Sequence, residues 1–180
     1  MAAVLLTGRP GCGKTTLIRQ VIDSLEVEAD GFYTQEMRGP DGRRRGFQIV
    51  TLDGGTATLS SVDIRSPHRV GRYGVDLANI EGMAVPAIRR AVQCRHLVVV
   101  DEIGKMELFS PSFRQAVLEA LEGGRCLLGT IMLGPHPYAD AIKARPDVRV
   151  IELTEANRAQ MRERVISLVR ACLEGGDRPA

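Results

Sequence analysis

Two short stretches of this sequence carry residue types that could act together on a phosphate. The first is Gly8-Arg9-Pro10-Gly11-Cys12-Gly13-Lys14-Thr15-Thr16, and the second is Val98-Val99-Val100-Asp101-Glu102-Ile103-Gly104-Lys105. Gly8 to Thr15 fits the spacing G-x-x-x-x-G-K-[ST]. Glycines at these positions let the backbone curl until several N–H groups point inward at one anion. A helix opening near Gly13 adds the positive end of its dipole. Lys14 then reaches the β- and γ-phosphates, and the Thr15 hydroxyl is an oxygen ligand for Mg²⁺. Cys12 contributes its backbone, and Thr16 follows as a helix-surface or packing residue beside the loop. Lysine occurs only at 14, 105 and 143, so its presence inside the motif is informative.

The second stretch supplies what such a loop lacks. An apolar strand ending in Asp101 brings a carboxylate to the carboxyl edge of a sheet, where ligands bind in open α/β folds. Asp101 is placed to hold Mg²⁺ through a water, as the Walker-B Asp of a P-loop NTPase does. Glu102 beside it is placed to orient an attacking water and take its proton, which favours hydrolysis over simple binding. We assign the whole run from Val98 to Lys105 to the nucleotide site. Lys105 either neutralises charge on the transferred phosphoryl or pairs with Glu102 or Glu107 as a structural bridge. Glu107 is read as structural, in a cap or an ion pair.

The elements around these stretches follow from their periodicity. Residues 2–6 form a short buried strand. Residues 14–26 place Leu17, Ile18, Val21, Ile22 and Leu25 on one helical face. Residues 31–52 read as a β-hairpin about a Gly-Pro-Asp-Gly turn. A short strand is expected within 54–63, extended chain at 69–76 and a helix at 80–93 with Pro86 at its start or kink. Strands at 96–104, 125–133 and 148–153 alternate with helices at 110–124 and 154–176, and 134–140 reads as a loop. Ser110 and Thr154 are the expected caps of those two helices. Apolar strands alternating with helices indicate a mostly parallel sheet covered on both faces. The hairpin region is expected as an antiparallel addition to it.

A chain of 180 residues suits a single domain over 1–180 with a sizeable core. Its apolar runs are too short to span a membrane. A net charge of +2 is too small to indicate nucleic-acid binding. Cys12, Cys94, Cys126 and Cys172 lack zinc-type spacing and suit free thiols in a reducing, cytoplasmic setting. Arg43, Arg44 and Arg45 form the sole basic run, read first as a solvated hairpin edge that discourages strand pairing and second as a contact to RNA phosphates or an acidic partner. His136 is read as an exposed loop residue. Arg65, Arg69 and Arg72 lie in an irregular region, and none stands out as a charge-stabilising finger.

Together, "GRPGCGKTTL", "GFYTQEMR", "GRYGVDL", "VVVDEIGKMELFS", "LGTI" and the late "TEANR" resemble the small THEP-type nucleoside triphosphatases over nearly the whole chain. The resemblance implies hydrolysis of ATP, GTP, CTP and UTP to diphosphate and phosphate, with Mg²⁺ and a loose base preference. It also implies a RecA-like three-layer sandwich, in which an extra strand lies between the phosphate-loop strand and the Asp-Glu strand. Residues 126–131 would be that strand, with Thr130 either near the γ-phosphate or simply a β-branched strand residue. Asn157 and Arg158 follow the last strand; Arg158 either stacks on the base or is an exposed first-turn residue. A monomer is expected. Two other functions share the same motifs: a nucleotide or polynucleotide kinase, and a non-catalytic switch that binds the triphosphate.

Overall fold

The structure, a computed structural model, describes residues 1–94 and 97–176. His96, expected to open one strand, lies outside the described residues. Among the described residues, nine strands form one sheet: β1 (Ala3–Thr7), β2 (Ala29–Arg38), β3 (Arg44–Thr51), β4 (Thr56–Ser61), β5 (Arg69–Val70), β6 (Tyr73–Val75), β7 (Leu97–Ile103), β8 (Cys126–Ile131) and β9 (Val148–Glu152). Their order is β5-β6-β4-β3-β2-β7-β8-β1-β9. From β2 to β9 the neighbours run parallel; from β2 to β5 they run antiparallel. β8 lies between β1 and β7, as the RecA-like class requires. The antiparallel half extends the same sheet from the hairpin outward.

Alternation along the central strands builds two cores. Ala3, Leu5, Val98, Val100 and Leu127 face α3 (Val85–Cys94), α4 (Pro111–Glu122) and α5 (Pro137–Lys143). Val4, Leu6, Leu97, Val99 and Leu128 face α1 (Lys14–Ser24) and α6 (Arg158–Gly176). Burial on both faces explains why these strands run apolar at consecutive positions, not at alternate ones, until polar residues appear at their carboxyl ends. The result is the three-layer sandwich. Among the described residues, no helix is long and apolar enough to cross a membrane.

Several element boundaries depart from the sequence reading. The stretch 77–94 is one continuous helical run: α2 (Leu77–Asn79), a π-helical turn (Ile80–Ala84) and then α3, with Pro86 in its first turn. Helix α4 starts as expected, with Ser110 Oγ accepting from Phe113 N–H at 3.1 Å and Pro111 following. The last helix begins at Arg158, four residues later than periodicity suggested. Thr154 and Asn157 cap each other's backbone first: Thr154 N–H donates to Asn157 Oδ1 at 2.9 Å and Asn157 N–H to Thr154 Oγ1 at 3.3 Å. The presumed loop at 134–140 contains the start of α5, capped by His136, whose Nδ1 accepts from Tyr138 N–H at 3.2 Å.

Candidate active site

The strand β1 ends at Thr7 and the chain turns at once into the glycine loop. Gly8 has φ +146°, and a Cβ there would lie 2.3 Å from the Leu153 carbonyl oxygen. No side chain fits that approach, which is what keeps the loop against the end of β9. Gly13, the N-cap of α1, is left-handed at φ +99°. Lys14 Nζ rests on the loop itself, donating to Gly8 O at 3.1 Å and Arg9 O at 3.3 Å. A cation held by two neutral carbonyls is free to exchange them for phosphate oxygens.

Strand β7 delivers the carboxylates. Its ladder to β8 shifts register between Val100 and Ile103, where the Asp101–Glu102 peptide is cis. Asp101 is 2% exposed. Its Oδ1 accepts from Thr130 Oγ1 at 2.5 Å, while Oδ2 is buried without a hydrogen-bond partner. Thr130 thus fixes the orientation of Asp101, a more definite role than either sequence alternative. Burial raises the Asp101 pKa; the Thr130 and Thr15 hydroxyls and the Lys14 charge oppose this. An orphaned buried carboxylate oxygen beside a Thr hydroxyl is a hard-oxygen donor set that suits a hydrated Mg²⁺. Glu102 is likewise raised by burial, drawn down by Lys14 and pushed up again by Asp101.

These groups line one cleft of about 690 Å³ at the carboxyl edge of the parallel strands. Gly8, Pro10, Gly11, Gly13, Lys14, Thr15 and Thr16 line it from the glycine loop; Asp101, Glu102 and Gly104 line it from the end of β7, with Lys105 exposed beside them. Other expected site residues are absent from the cleft lining, although the Arg9 carbonyl holds Lys14. Val98, Val99, Val100 and Ile103 are core residues that carry Asp101 and Glu102 to the edge. Cys12 is buried in the second core, and Arg9 is exposed. Arg158 is exposed at the start of α6 and is not in the cleft lining.

Two features of the lining were not anticipated. Glu107, read as structural, is 4% exposed and lines the cleft. A 3₁₀ turn (Glu107–Phe109) folds it back over Gly104, so that Glu107 Oε2 and Glu102 Cδ both lie within 3.2 Å of where a Gly104 Cβ would sit. Burial and the Glu102 charge push the Glu107 pKa up to about 8, against the pull of the Glu107 and Gly104 N–H groups. The second feature is a wall from the hairpin, with Thr34, Gln35, Glu36, Arg44 and Phe47.

The Glu107 shift has a measurable consequence. Its folded pKa exceeds its ordinary value of 4.5, so between about pH 4.5 and 8 the folded state binds more protons than the unfolded chain. Stability therefore falls as pH rises through that interval. Glu107→Gln stays neutral and should melt above the wild type at pH 8, by on the order of 3 kcal/mol in stability. Urea denaturation from pH 5 to 8 measures this; parallel pH dependences for the two proteins would refute it. Asp101 and Glu102 leave a residual slope in both.

The sequence and the fold have known counterparts. The NTPase family model matches residues 3–166. Nucleoside-triphosphatase THEP1 of Thermotoga maritima is 44% identical over 168 residues, covering 93% of this chain and 95% of that one. The human cancer-related nucleoside-triphosphatase is 43% identical over 185 residues, covering 93% and 96%. In three dimensions, the crystal structure of THEP1 from Aquifex aeolicus matches with a TM-score of 0.84 at 37% identity, covering 93% of this chain and 98% of that one. The solution structure of a human cancer-related nucleoside triphosphatase matches with a TM-score of 0.80 at 42% identity, covering 95% and 98%. With the family model spanning most of its length and these relatives matching nearly end to end, the chain belongs to the NTPase family.

Proposed function

We propose that this protein is a Mg²⁺-dependent nucleoside-triphosphatase that releases the γ-phosphate to water and accepts ATP, GTP, CTP and UTP. The observation that carries this reading is the placement of Glu102 in the cleft lining, beside Asp101 and within the field of Lys14. The names of the relatives, nucleoside-triphosphatases over nearly their full lengths, support it.

On this reading the loop amides and Lys14 grip the β- and γ-phosphates, and Lys14 gives up the Gly8 and Arg9 carbonyls to do so. Thr15 and Asp101 would hold the metal, the buried and unpartnered Oδ2 of Asp101 being the carboxylate oxygen left available for it. The ion, when bound, neutralises charge on the phosphate oxygens. Glu102 takes a proton from the attacking water as its oxygen bonds to the γ-phosphorus and the bond to the leaving diphosphate breaks. Lys105, exposed at the rim, adds positive charge there. Base tolerance follows because the gripping groups address phosphates, which all four substrates share. Free cysteines at 12, 94, 126 and 172 suit a reducing, cytoplasmic setting.

A turnover panel with the four triphosphates, with and without EDTA, tests this. Equimolar phosphate and diphosphate are expected from each nucleotide without any acceptor, and loss of turnover with EDTA. Phosphoryl transfer that requires an added acceptor would replace this reading with a kinase, and tight binding without turnover would replace it with a switch.

A further inference from the structure

The hairpin wall holds a cation that no part of the proposed chemistry yet uses. β2 pairs with β7 as far as Tyr33 opposite Asp101, so Thr34, Gln35 and Glu36 stand beyond the carboxylates. Across the hairpin, Glu36 pairs with Phe47 and Met37 with Gly46, and then the register slips so that Arg38 faces Arg44. Arg45 is the extra residue of a β-bulge. In a regular strand, residues 44 and 47 would point to opposite faces. The bulge turns Arg44 onto the face that Phe47 and Glu36 share, the re-aiming that bulges provide beside functional clefts. Arg45 is turned away, to Asp63 at 2.8 Å.

Arg44 is a held side chain whose outer part still reaches solvent, 40% of it being exposed. It forms an ion pair with Glu36, its guanidinium carbon sits 5.2 Å from the Phe47 ring centroid, and its Nε is buried without a partner. Its backbone is held too, since Arg72 donates to Arg44 O at 2.7 Å. The sheet order fixes which end of the substrate it meets. The loop rises from β1, the carboxylates from β7, and β2 lies on the far side of β7. A triphosphate held by the loop, with its terminal phosphate at Asp101 and Glu102, points that phosphate toward the β2–β3 wall.

We propose that Arg44 is the catalytic cation of the terminal phosphate, exchanging Glu36 for a γ-phosphate oxygen as charge develops in the transition state. The planar guanidinium suits that anion, and Glu36 holds it beforehand in a compact pose. This proposal rests on the triphosphatase reading above.

The test compares wild type, Arg44→Ala and Arg44→Lys in steady-state phosphate release, with two binding measurements beside it. Arg44→Ala should lower kcat about 100-fold while KM moves less than threefold. Affinity for a diphosphate–aluminium fluoride complex, a mimic of the transferring phosphoryl, should fall by a similar factor; affinity for a non-hydrolysable triphosphate should hold within threefold. Arg44→Lys keeps the charge and the stem and should recover part of kcat, which separates the role from a folding defect. An Arg44→Ala kcat within twofold of wild type overturns the proposal, as does a loss confined to KM. A wild type that binds triphosphate but releases no phosphate overturns the parent reading and this one together; an active wild type beside a fully active Arg44→Ala overturns only the role of Arg44.

Discussion

Glu102→Gln should lower phosphate release by about 10²- to 10⁴-fold while nucleotide binding persists. The substitution keeps size and shape but removes the charge, turns one acceptor oxygen into a donor NH2 and abolishes the ability to take a proton. The phosphate grip resides in the glycine loop and Lys14, on the other side of the cleft, so affinity should change little. The environment of Glu102 supports a base: burial raises its pKa, Lys14 lowers it and Asp101 raises it again. A raised pKa means that the base form accumulates as pH rises above the ordinary carboxylate range. Wild-type kcat should therefore climb along an acid limb that the variant lacks. Phosphate release across pH, with a fluorescent nucleotide to follow binding, measures both. Full activity in the variant would remove Glu102 from the mechanism.

The residues that sequence placed well share one property: their local neighbourhood determines their structure. Strands β1, β7 and β8 carry consecutive apolar residues up to their carboxyl ends because both faces are buried, and that pattern is visible in a window of a few residues. The glycine loop needs positive φ at fixed positions, and only glycine meets that need readily. Glu107 and Arg44 are different. Glu107 enters the cleft because a 3₁₀ turn folds the chain back after Gly104, and one turn of glutamate, leucine and phenylalanine carries no sign of it. Arg44 enters because of a register slip in a hairpin ladder, and three consecutive arginines do not tell which one the bulge will turn inward. The helix α5 was hidden by Gly134-Pro135-His136-Pro137, which has turn chemistry on its face although His136 and Pro137 start a helix. Thr154 does not cap the last helix directly: its side chain and that of Asn157 close a turn first, and the helix starts at Arg158.

Asp101→Asn should move stability and activity in opposite directions. Asp101 is almost wholly buried, with one oxygen bonded to Thr130 and the other unpartnered. Burial raises its pKa above the ordinary 3.8, so the folded protein binds the proton more tightly than the unfolded chain. Stability is thus greatest at low pH and declines as pH rises through the folded pKa, where the buried group becomes an ion. Asparagine keeps the shape and never ionises. An unpartnered buried amide is less unfavourable than an unpartnered buried carboxylate. The variant without nucleotide should therefore have a higher Tm than wild type at pH 8 and a weaker dependence of Tm on pH. Under the proposed mechanism the same change removes a metal-holding charge, so turnover should fall at least about 100-fold. MgADP should raise the wild-type Tm through preferential binding to the folded state, and raise that of the variant less. A variant that melts below wild type at pH 8 would refute the stability argument; one that melts higher yet turns over normally would refute the metal role. Both shifts together would mark Asp101 as a group whose burial opposes folding and serves the site, as expected where a carboxylate is held dry for an ion.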